Sequence, residues 1–283
     1  MIGIIGMGYV GSALKAGFSS QYSIETYDLN STLSSCQSVD ELVSKSQILF
    51  LCLPTPMKKN GACDLSIIKE VLNQLNQIIS KKSDKIIVIK STIIPGSTDK
   101  FNDEFDNLNI IFNPEFLTEA NFIEDFKNQK RIILGGSKIF TAQIKKMYVK
   151  IFPKAKIIET QSKQAEMVKY FANTFLATKV SFANEMKIIC DKFGINYNEI
   201  VEYAIYDDRL GNSHWSVPGP DKKLGFGGSC FPKDINALIS VCSDLDLDVD
   251  VLKAVWKTNL KVRPERDWEE LKGRAISNNS DEV

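Results

Sequence analysis

The chain begins with MIGIIGMGYVGSALKAGF, residues 1–18, and this stretch decides the fold. A short apolar run comes first, three glycines follow within six positions, and apolar residues then recur at helical spacing. We therefore predict a buried strand, a tight turn and a helix, in that order. A strand–turn–helix unit of this kind is typical of parallel sheets that helices cover on both faces.

The glycine turn, GMGYVG at residues 6–11, matches a dinucleotide fingerprint. In this pattern Gly6 makes the turn, Gly8 lets the backbone approach a pyrophosphate, and Gly11 lets the helix pack closely on the strand. The N–H groups at the start of the helix then favour phosphate. Asp28 lies at the end of the second predicted strand, where an acid binds ribose hydroxyls and repels a 2′-phosphate. The sequence therefore predicts NAD, in preference to NADP, as the cofactor.

Six more apolar runs follow along the chain to about residue 158. Each run is short and is separated from the next by a segment with helical periodicity; the runs are SIETYD, QILFLCLP, KIIVIKS, NIIFNP, RIILGG and AKIIET. Alternating strands and helices predict a doubly wound α/β domain with a parallel Rossmann-type sheet over residues 1–158.

The pattern changes after residue 160. Residues 161–194 contain neither proline nor glycine before Gly194, and their broad apolar stripe predicts one long helix. Such a helix can connect two domains and bury an apolar face against a second copy, so we expect a homodimer through this central helix. A further helical segment is predicted at roughly 233–262. We assign residues 159–283 to a smaller all-α domain, with a disordered polar tail from about 277.

Charge and hydropathy exclude several classes of partner. Lys and Arg together number 35, as do Asp and Glu, so the sequence gives no support for a nucleic-acid or membrane-surface partner. No segment approaches the ~20 apolar residues of a membrane span. The six cysteines are scattered without a C-x-x-C pair, and the apolar start lacks the basic leader of a signal peptide. We expect reduced thiols in a cytoplasmic protein.

Metal binding is not predicted. His214 is the only histidine, which argues against a zinc site of ordinary type and leaves one residue for any histidine-dependent mechanism. The aspartate-rich stretch at residues 244–250 lacks the glycine and glutamate of a calcium loop, so we interpret it as a solvated turn.

Three loops follow predicted strands at their carboxyl ends, where open α/β sheets bind ligands. LCLPTP (51–56) presents Thr55 between two prolines, KSTIIPG (90–96) presents Thr92, and NPEFLTEA (113–120) presents Glu115 and Glu119. The two glutamates would share a face if their segment were helical. Taken singly, each loop is better explained by residues that form turns and cap helices.

Two further features leave alternatives open. Lys169 and Asn173 are four residues apart on the predicted long helix, and a lysine there can either reach solvent or face a site. LGFGGSCFPKDINAL (224–238) sets Cys230 among three glycines and before a Lys-Asp pair. That cysteine is either an inert small side chain or a reactive thiol.

Together these motifs resemble the UDP-glucose/GDP-mannose dehydrogenase family, nucleotide-sugar dehydrogenases that use NAD. The resemblance covers residues 1 to about 262 and rests on GMGYVG, LCLPTP, KSTIIPG, NPEFLTEA, KYFANTFLATKVSFANE and GFGGSCFPKD, in the family's order. Family members usually continue through a third α/β domain that closes over the nucleotide, so we expect a short form. Lys222 and Lys223, or a partner subunit, are then candidates for holding the diphosphate.

The resemblance implies oxidation of a sugar C6 alcohol to a carboxylate in two steps, with UDP-glucose as the first candidate substrate. Alternatives are a GDP-mannose or UDP-N-acetylmannosamine type of substrate, a smaller hydroxy substrate, or a non-catalytic cofactor-binding protein. Cys230 matches the nucleophile, Lys169 the residue that stabilises the alkoxide, and Asn173 its neighbour. Asp234 matches a base acting through water. Glu119 matches the acid of thioester hydrolysis, with Glu115 and Thr92 in the same water network.

Two sets of binding residues complete the expectation. The cofactor-binding set is Gly6, Gly8, Tyr9, Val10, Gly11, Asp28, Pro54, Thr55, Thr92 and Glu119. The substrate-binding set is Glu115, Phe116, Leu117, Lys169, Asn173, Phe226, Gly227 and Cys230.

Overall fold

The computed structural model describes residues 1–81 and 83–278 and divides the chain into two compact units. The first unit comprises Met1–Thr55 and Leu65–Lys169; the second comprises Pro56–Asp64 and the chain from Tyr170 onward. Residues 279–283, most of the predicted disordered tail, lie outside the described residues. Among the helices of the described part, none has both the length and the apolar character needed to cross a membrane.

The first unit is built on a seven-stranded sheet, which confirms the predicted α/β fold. Along the described sheet the order is β2-β1-β3-β4-β5-β6-β7. The strands are β1 (Ile2–Ile5), β2 (Ile24–Tyr27), β3 (Ile48–Leu51), β4 (Ile86–Ile89), β5 (Asn109–Phe112), β6 (Arg131–Gly135) and β7 (Lys156–Thr160). β5 and β6 pair antiparallel, through Phe112 and Gly135, whereas the other neighbours are parallel. The sheet is therefore mostly parallel, and the one antiparallel pairing is not visible in the sequence because an apolar run does not encode strand direction.

Helices cover both faces of this sheet. They are α1 (Tyr9–Phe18), α2 (Val39–Lys45), α3 (Ser66–Ile78), α4 (Ser97–Glu104), α5 (Phe122–Lys127), α6 (Lys138–Ile151) and the start of α7 (Ser162–Phe193). Within β4, Ile87 and Ile89 pack into one hydrophobic cluster, while Ile86 and Val88 pack into the other. Because alternate residues serve opposite faces and both faces are buried, the strand reads as a continuous apolar run.

The second unit is mainly helical. It contains the rest of α7, α8 (Tyr197–Ala204), α9 (Phe231–Asp244) and α10 (Asp250–Val262). The single long helix predicted for residues 161–194 is confirmed by α7. The prediction of one helical segment over 233–262 was wrong, since α9 and α10 are separate helices. Asp246 has φ 56°, a left-handed conformation that aspartate tolerates and that ends a helix.

The segment after β3 belongs to the second unit. The Met57 N–H donates to the Ala275 carbonyl, and the Ser277 N–H donates to the Met57 carbonyl, both at 2.8 Å. The Ser277 hydroxyl also donates to the buried Asp64 carboxylate at 2.6 Å. Pro56–Asp64 is therefore anchored to the chain near residue 276, within one unit.

Candidate functional site

The glycine turn of the first unit is shaped by backbone contacts. Gly6 has φ +90°, and a Cβ added at Gly11 would lie 2.0 Å from the Gly6 carbonyl oxygen. A Cβ added at Gly8 would meet none of the described atoms within 4 Å, and among the described side chains none caps α1. The fold itself thus requires Gly6 and Gly11, whereas Gly8 borders open space beside the N–H groups of α1. This arrangement fits a pyrophosphate.

Asp28 is fixed against the same turn. Its Oδ2 accepts a hydrogen bond from the Met7 N–H at 2.7 Å, and its Oδ1 accepts one from the Asn30 N–H at 2.8 Å. A carboxylate can accept about four hydrogen bonds, so capacity remains for ribose hydroxyls. The turn and Asp28 together fit the adenosine half of NAD.

The other predicted cofactor residues follow neighbouring strands. Pro54 is exposed after β3, Thr55 is buried, and Thr92 is buried just after β4. The Leu53 N–H donates to the Ser91 hydroxyl at 2.8 Å and so ties these two loops together. Val10 is half-buried at the start of α1, and the exposed Tyr9 ring lies 5.3 Å from that of Phe122.

Lys169 and Glu115 form a buried ion pair in the first unit. The Lys169 ammonium donates to the Glu115 carbonyl oxygen at 2.7 Å and to its Oε1 at 2.9 Å. The two side chains are only 4% and 11% exposed, so Lys169 does not reach towards solvent. Burial raises the pKa of the Glu115 carboxyl, but Lys169 and the Leu117 N–H outweigh burial, and that pKa is lowered. The Glu115 side chain is therefore a carboxylate at neutral pH.

The Glu115 and Glu119 carboxylates do not share a helical face. Residues 113–118 form no regular secondary structure, and Glu119 is exposed in the turn before α5. Phe116, next to Glu115, stacks under the Arg131 guanidinium, 4.3 Å from the ring centre.

A second cluster, in the second unit, forms at the start of α9. Cys230 is half-buried at the N-cap position, with its Sγ 3.9 Å from the Ser229 hydroxyl. One turn later, the Asp234 side chain is 1% exposed and accepts hydrogen bonds from Asn173 Nδ2 and Lys233 Nζ, both at 2.5 Å. Asp234 and Asn173, predicted from different motifs, are thus bonded to each other.

Lys233 is a candidate functional residue that sequence reasoning missed. Burial lowers the pKa of its ammonium, but the attraction of Asp234 and Cys230 outweighs burial, and the pKa is raised. A permanent cation near a cysteine favours the thiolate. The spacing could have indicated it, because Lys233 stands three residues after Cys230. In a helix that begins at Cys230, the two side chains lie on the same face.

The glycines of the Cys230 loop serve packing more than ligand access. A Cβ at Gly225 would lie 2.4 Å from Asn259 Oδ1, and one at Gly227 would lie 2.4 Å from the Arg263 guanidinium. Gly228 has φ +70°, and its Cβ would meet none of the described atoms within 4 Å. The Phe226 side chain is 4% exposed. Its backbone N–H and carbonyl both bind the Asn259 amide. Of the three glycines, Gly228 alone would have room for a side chain among the described residues.

Two models of one family match the chain. The UDP-glucose/GDP-mannose dehydrogenase family, NAD binding domain, matches residues 21–154, and the central domain of the same family matches residues 163–261. The chain belongs to the UDP-glucose/GDP-mannose dehydrogenase family. The family match confirms the resemblance read from the motifs, and it confirms NAD as the cofactor.

Individual members of the UDP-glucose/GDP-mannose dehydrogenase family are similar over most of this chain. UDP-glucose 6-dehydrogenase of Rickettsia prowazekii is 37% identical over 76% of this chain and 49% of its own length. UDP-glucose 6-dehydrogenase TuaD of Bacillus subtilis is 31% identical over 85% of this chain and 52% of its own length. A solved UDP-glucose dehydrogenase from Pyrobaculum islandicum superposes with a TM-score of 0.83 at 28% identity, covering 92% of this chain and 68% of that one. The chain spans about half the length of the curated relatives it matches.

Five of the predicted residues of the family's reaction fall into two sets. Glu115 and Lys169 form one, and Asn173, Asp234 and Cys230 lie in the other with Lys233. Lys169 and Asn173 are one turn apart on α7, so this helix contributes a residue to each set. Within the described residues, no group of three or more His, Cys, Asp or Glu side chains could hold a metal ion.

His214 and Lys223 are held by contacts of their own within the second unit. The His214 ring lies 5.8 Å from that of Phe231, and burial followed by the nearby Lys179 lowers the pKa of the imidazole. Lys223 Nζ donates to Asp267 at 3.3 Å, and Asp267 also binds the buried Arg263 guanidinium. Lys223 is thus already part of an ion-pair network.

Proposed function

We propose that this chain carries the dehydrogenase centre of a nucleotide-sugar 6-dehydrogenase, which oxidises a sugar C6 alcohol to a carboxylate in two steps. The observation that carries the proposal is Cys230 at the start of α9, beside the Lys233 ammonium and the buried Asp234. The names of the relatives support UDP-glucose as the substrate to test first. GDP-mannose and UDP-N-acetylmannosamine are the alternatives.

Lys169 has the charge that the alcohol oxidation needs. A negative charge develops on the substrate oxygen as the alcohol proton leaves, and a fixed ammonium stabilises that charge most where water is excluded. Glu115 holds Lys169 in place through two hydrogen bonds. NAD, when bound, accepts the hydride from the sugar carbon. We assign Lys169 to the substrate oxygen and Glu115 to its positioning.

Cys230 would make the second oxidation, from aldehyde to acid, possible. An aldehyde has a hydrogen on its carbonyl carbon but no oxygen lone pair placed to expel a hydride. Attack by the thiolate forms an S–C6 bond, moves the carbonyl π electrons onto oxygen and creates an sp³ alkoxide. Oxidation of this thiohemiacetal gives a thioester, which water hydrolyses to the acid and the thiol. Lys233 would keep Cys230 ionised, and Asn173 would orient Asp234.

The remaining predicted roles stay proposals. Thr92 and Glu119 are assigned to the water that cleaves the thioester, and Phe116, Leu117 and the Gly227 backbone to contact with the sugar nucleotide. Because the Phe226 side chain is buried, its contribution is limited to shaping the loop.

We also infer that α7 forms a homodimer interface. Phe171, Phe175 and Phe182 lie along this helix and are 71%, 57% and 53% exposed. Exposed aromatic side chains in one row are typical of an interface. A cytoplasmic location is proposed on the six cysteines, which are all thiols.

An NADH assay across a panel of nucleotide sugars, with product identification, tests the function. The proposal predicts an acid product with UDP-glucose, GDP-mannose or UDP-N-acetylmannosamine. A chain that binds NAD but yields no NADH with any member of the panel would be a non-catalytic cofactor-binding protein. A smaller hydroxy acid oxidised in preference to all three nucleotide sugars would favour a related dehydrogenase.

A further inference from the structure

Lys90 is a buried lysine that the reaction described above does not use. It follows β4 directly, is the first residue of KSTIIPG, and is only 4% exposed. Its Nζ donates hydrogen bonds to Asn113 Oδ1 at 3.1 Å and to the Pro114 carbonyl at 3.4 Å. A buried ammonium is costly unless it is bonded, so its position needs an explanation.

Asn113 is the centre of the network around Lys90. The Tyr148 hydroxyl on α6 donates to Asn113 Oδ1 at 2.5 Å, and Asn113 Nδ2 donates to the Ile133 carbonyl on β6 at 2.7 Å. Asn113 itself is 1% exposed. Lys90, Tyr148 and Ile133 thus fix one amide from three different elements.

The fixed segment leads directly to the catalytic lysine. Asn113 and Pro114 immediately precede Glu115, whose carbonyl and carboxylate both accept from Lys169. A shift of the backbone at Pro114 would move both of those acceptors together. The position of the Lys169 ammonium therefore depends on how firmly Asn113 and Pro114 are held.

We propose that Lys90 is a positioning residue for the oxidation, which fixes Asn113 and Pro114 so that Glu115 holds Lys169 at the substrate oxygen. This inference rests on the dehydrogenase function proposed above. Lys90 acts through Glu115 and does not itself contact the substrate.

The charges around Lys90 give this role a pH dependence. The ionisable groups facing it are Cys52 after β3, Glu115 after β5, Lys169 on α7 and, through Asn113, Tyr148 on α6. Burial lowers the pKa of Lys90 to about 8, partly opposed by Cys52 and Glu115 and reinforced by Lys169. Burial raises the pKa of Cys52 to about 12 and also raises that of Tyr148, so both are neutral near pH 7.

Of Lys90, Cys52, Glu115 and Tyr148, Lys90 is therefore the one that loses charge just above neutral pH. Its hydrogen bonds to Asn113 and Pro114 are charge-assisted below about pH 8 and weaken as the pH rises through that value. The positive field that helps to keep Glu115 ionised weakens in the same interval. We expect kcat to fall on the alkaline side with an apparent pKa near 8.

The test compares Lys90→Met and Lys90→Gln with Lys85→Met. Lys85 stands at the other end of β4 and donates to the Ser46 carbonyl at 2.5 Å, so it is a matched lysine away from the Glu115 loop. We expect kcat for the best nucleotide sugar to fall at least tenfold in both Lys90 variants, with KM for NAD within twofold of wild type. The fall of kcat at alkaline pH should persist in Lys85→Met and disappear in both Lys90 variants.

A crystal structure of Lys90→Gln provides a readout that does not need turnover. The Gln side chain is neutral and shorter than that of lysine, so it loses the charge-assisted bonds to Asn113 and Pro114, but it keeps a polar group that favours folding if Lys90→Met does not fold. We expect the Lys169 Nζ–Glu115 carbonyl distance to exceed hydrogen-bond range in this variant. Wild-type kcat, an unchanged fall of kcat at alkaline pH or unchanged Lys169 contacts in Lys90→Gln would overturn the role of Lys90. If the wild type oxidises no nucleotide sugar, the proposed function fails separately, and the crystal structure alone decides whether Lys90 positions Lys169.

Discussion

Replacing Glu115 by Gln should destabilise the first unit strongly, because it leaves a buried ammonium without its anion. Removing one partner of a buried ion pair costs about 3–5 kcal/mol. The 2.7 Å bond from Lys169 to the Glu115 backbone carbonyl survives the change, so we place the loss near the lower end, about 3 kcal/mol. For a unit of this size that corresponds to a fall in Tm of about 6–12 °C.

Glu159→Gln is the matched control in the same unit. Glu159 pairs with Lys145 at 2.7 Å, but the two side chains are 20% and 43% exposed. An exposed pair contributes about 0–1 kcal/mol, so the free energy of unfolding of Glu159→Gln should be close to that of the wild type. The free energies of unfolding of the wild type, Glu115→Gln and Glu159→Gln are compared by urea denaturation at pH 7.

The stability lost in Glu115→Gln depends on pH, and its direction follows from the pKa of Glu115. The pKa of Glu115 is lowered in the folded state, so its contribution is complete above the unfolded pKa near 4.3 and is lost as the pH falls through the folded value. The stability difference between wild type and Glu115→Gln should therefore narrow as the pH falls from 7 towards 3. Equal destabilisation by Glu115→Gln and Glu159→Gln at pH 7 would refute the assignment of a buried, stabilising pair.

Three further predictions concern the cofactor turn, the Asp234 cluster and α7. Gly11→Ala should lower the free energy of unfolding by about 1–3 kcal/mol and weaken NAD binding in calorimetry, since its Cβ would lie 2.0 Å from a backbone oxygen. Gly8→Ala should weaken only NAD binding; equal stability loss in both variants would contradict this view of the turn. Asn173→Ala should reduce kcat at least tenfold, because the buried Asp234 loses a 2.5 Å hydrogen bond, and wild-type kcat would exclude that role. Phe175→Asp should give monomers in light scattering, and an unchanged dimer would exclude an interface at this point of α7.

The strands could be predicted from the sequence because the signal for each one is local. Both faces of β4 are covered, so Ile86–Ile89 reads as an unbroken apolar run, and β1, β3 and β5 follow the same rule. The direction of β6 and the break between α9 and α10 could not be predicted. Apolar periodicity does not carry strand direction, and it continues across the aspartate-rich turn at Asp246 that ends α9.

The chemistry of the candidate site depends on distant partners that a local pattern does not reveal. Lys169 could equally have reached solvent; its burial follows from Glu115, which stands 54 positions earlier in the chain. From the sequence alone, Gly225 and Gly227 suggest a loop that approaches a ligand. In the structure, a side chain at either position would collide with Asn259 or Arg263, so these glycines are needed for packing. Motif order selected the candidate residues, whereas only the contacts show how each side chain is held.

The most direct test of the central claim is the number of NADH molecules formed per UDP-glucose consumed, measured with the product identified by mass spectrometry. We predict two NADH and the carboxylate for the wild type, and no more than one NADH with the aldehyde for Cys230→Ser. Cys242→Ser, a change at another half-buried cysteine on α9, should behave as the wild type. One NADH with a stable aldehyde from the wild type, or undiminished acid formation by Cys230→Ser, would contradict the assignment of Cys230 as the nucleophile.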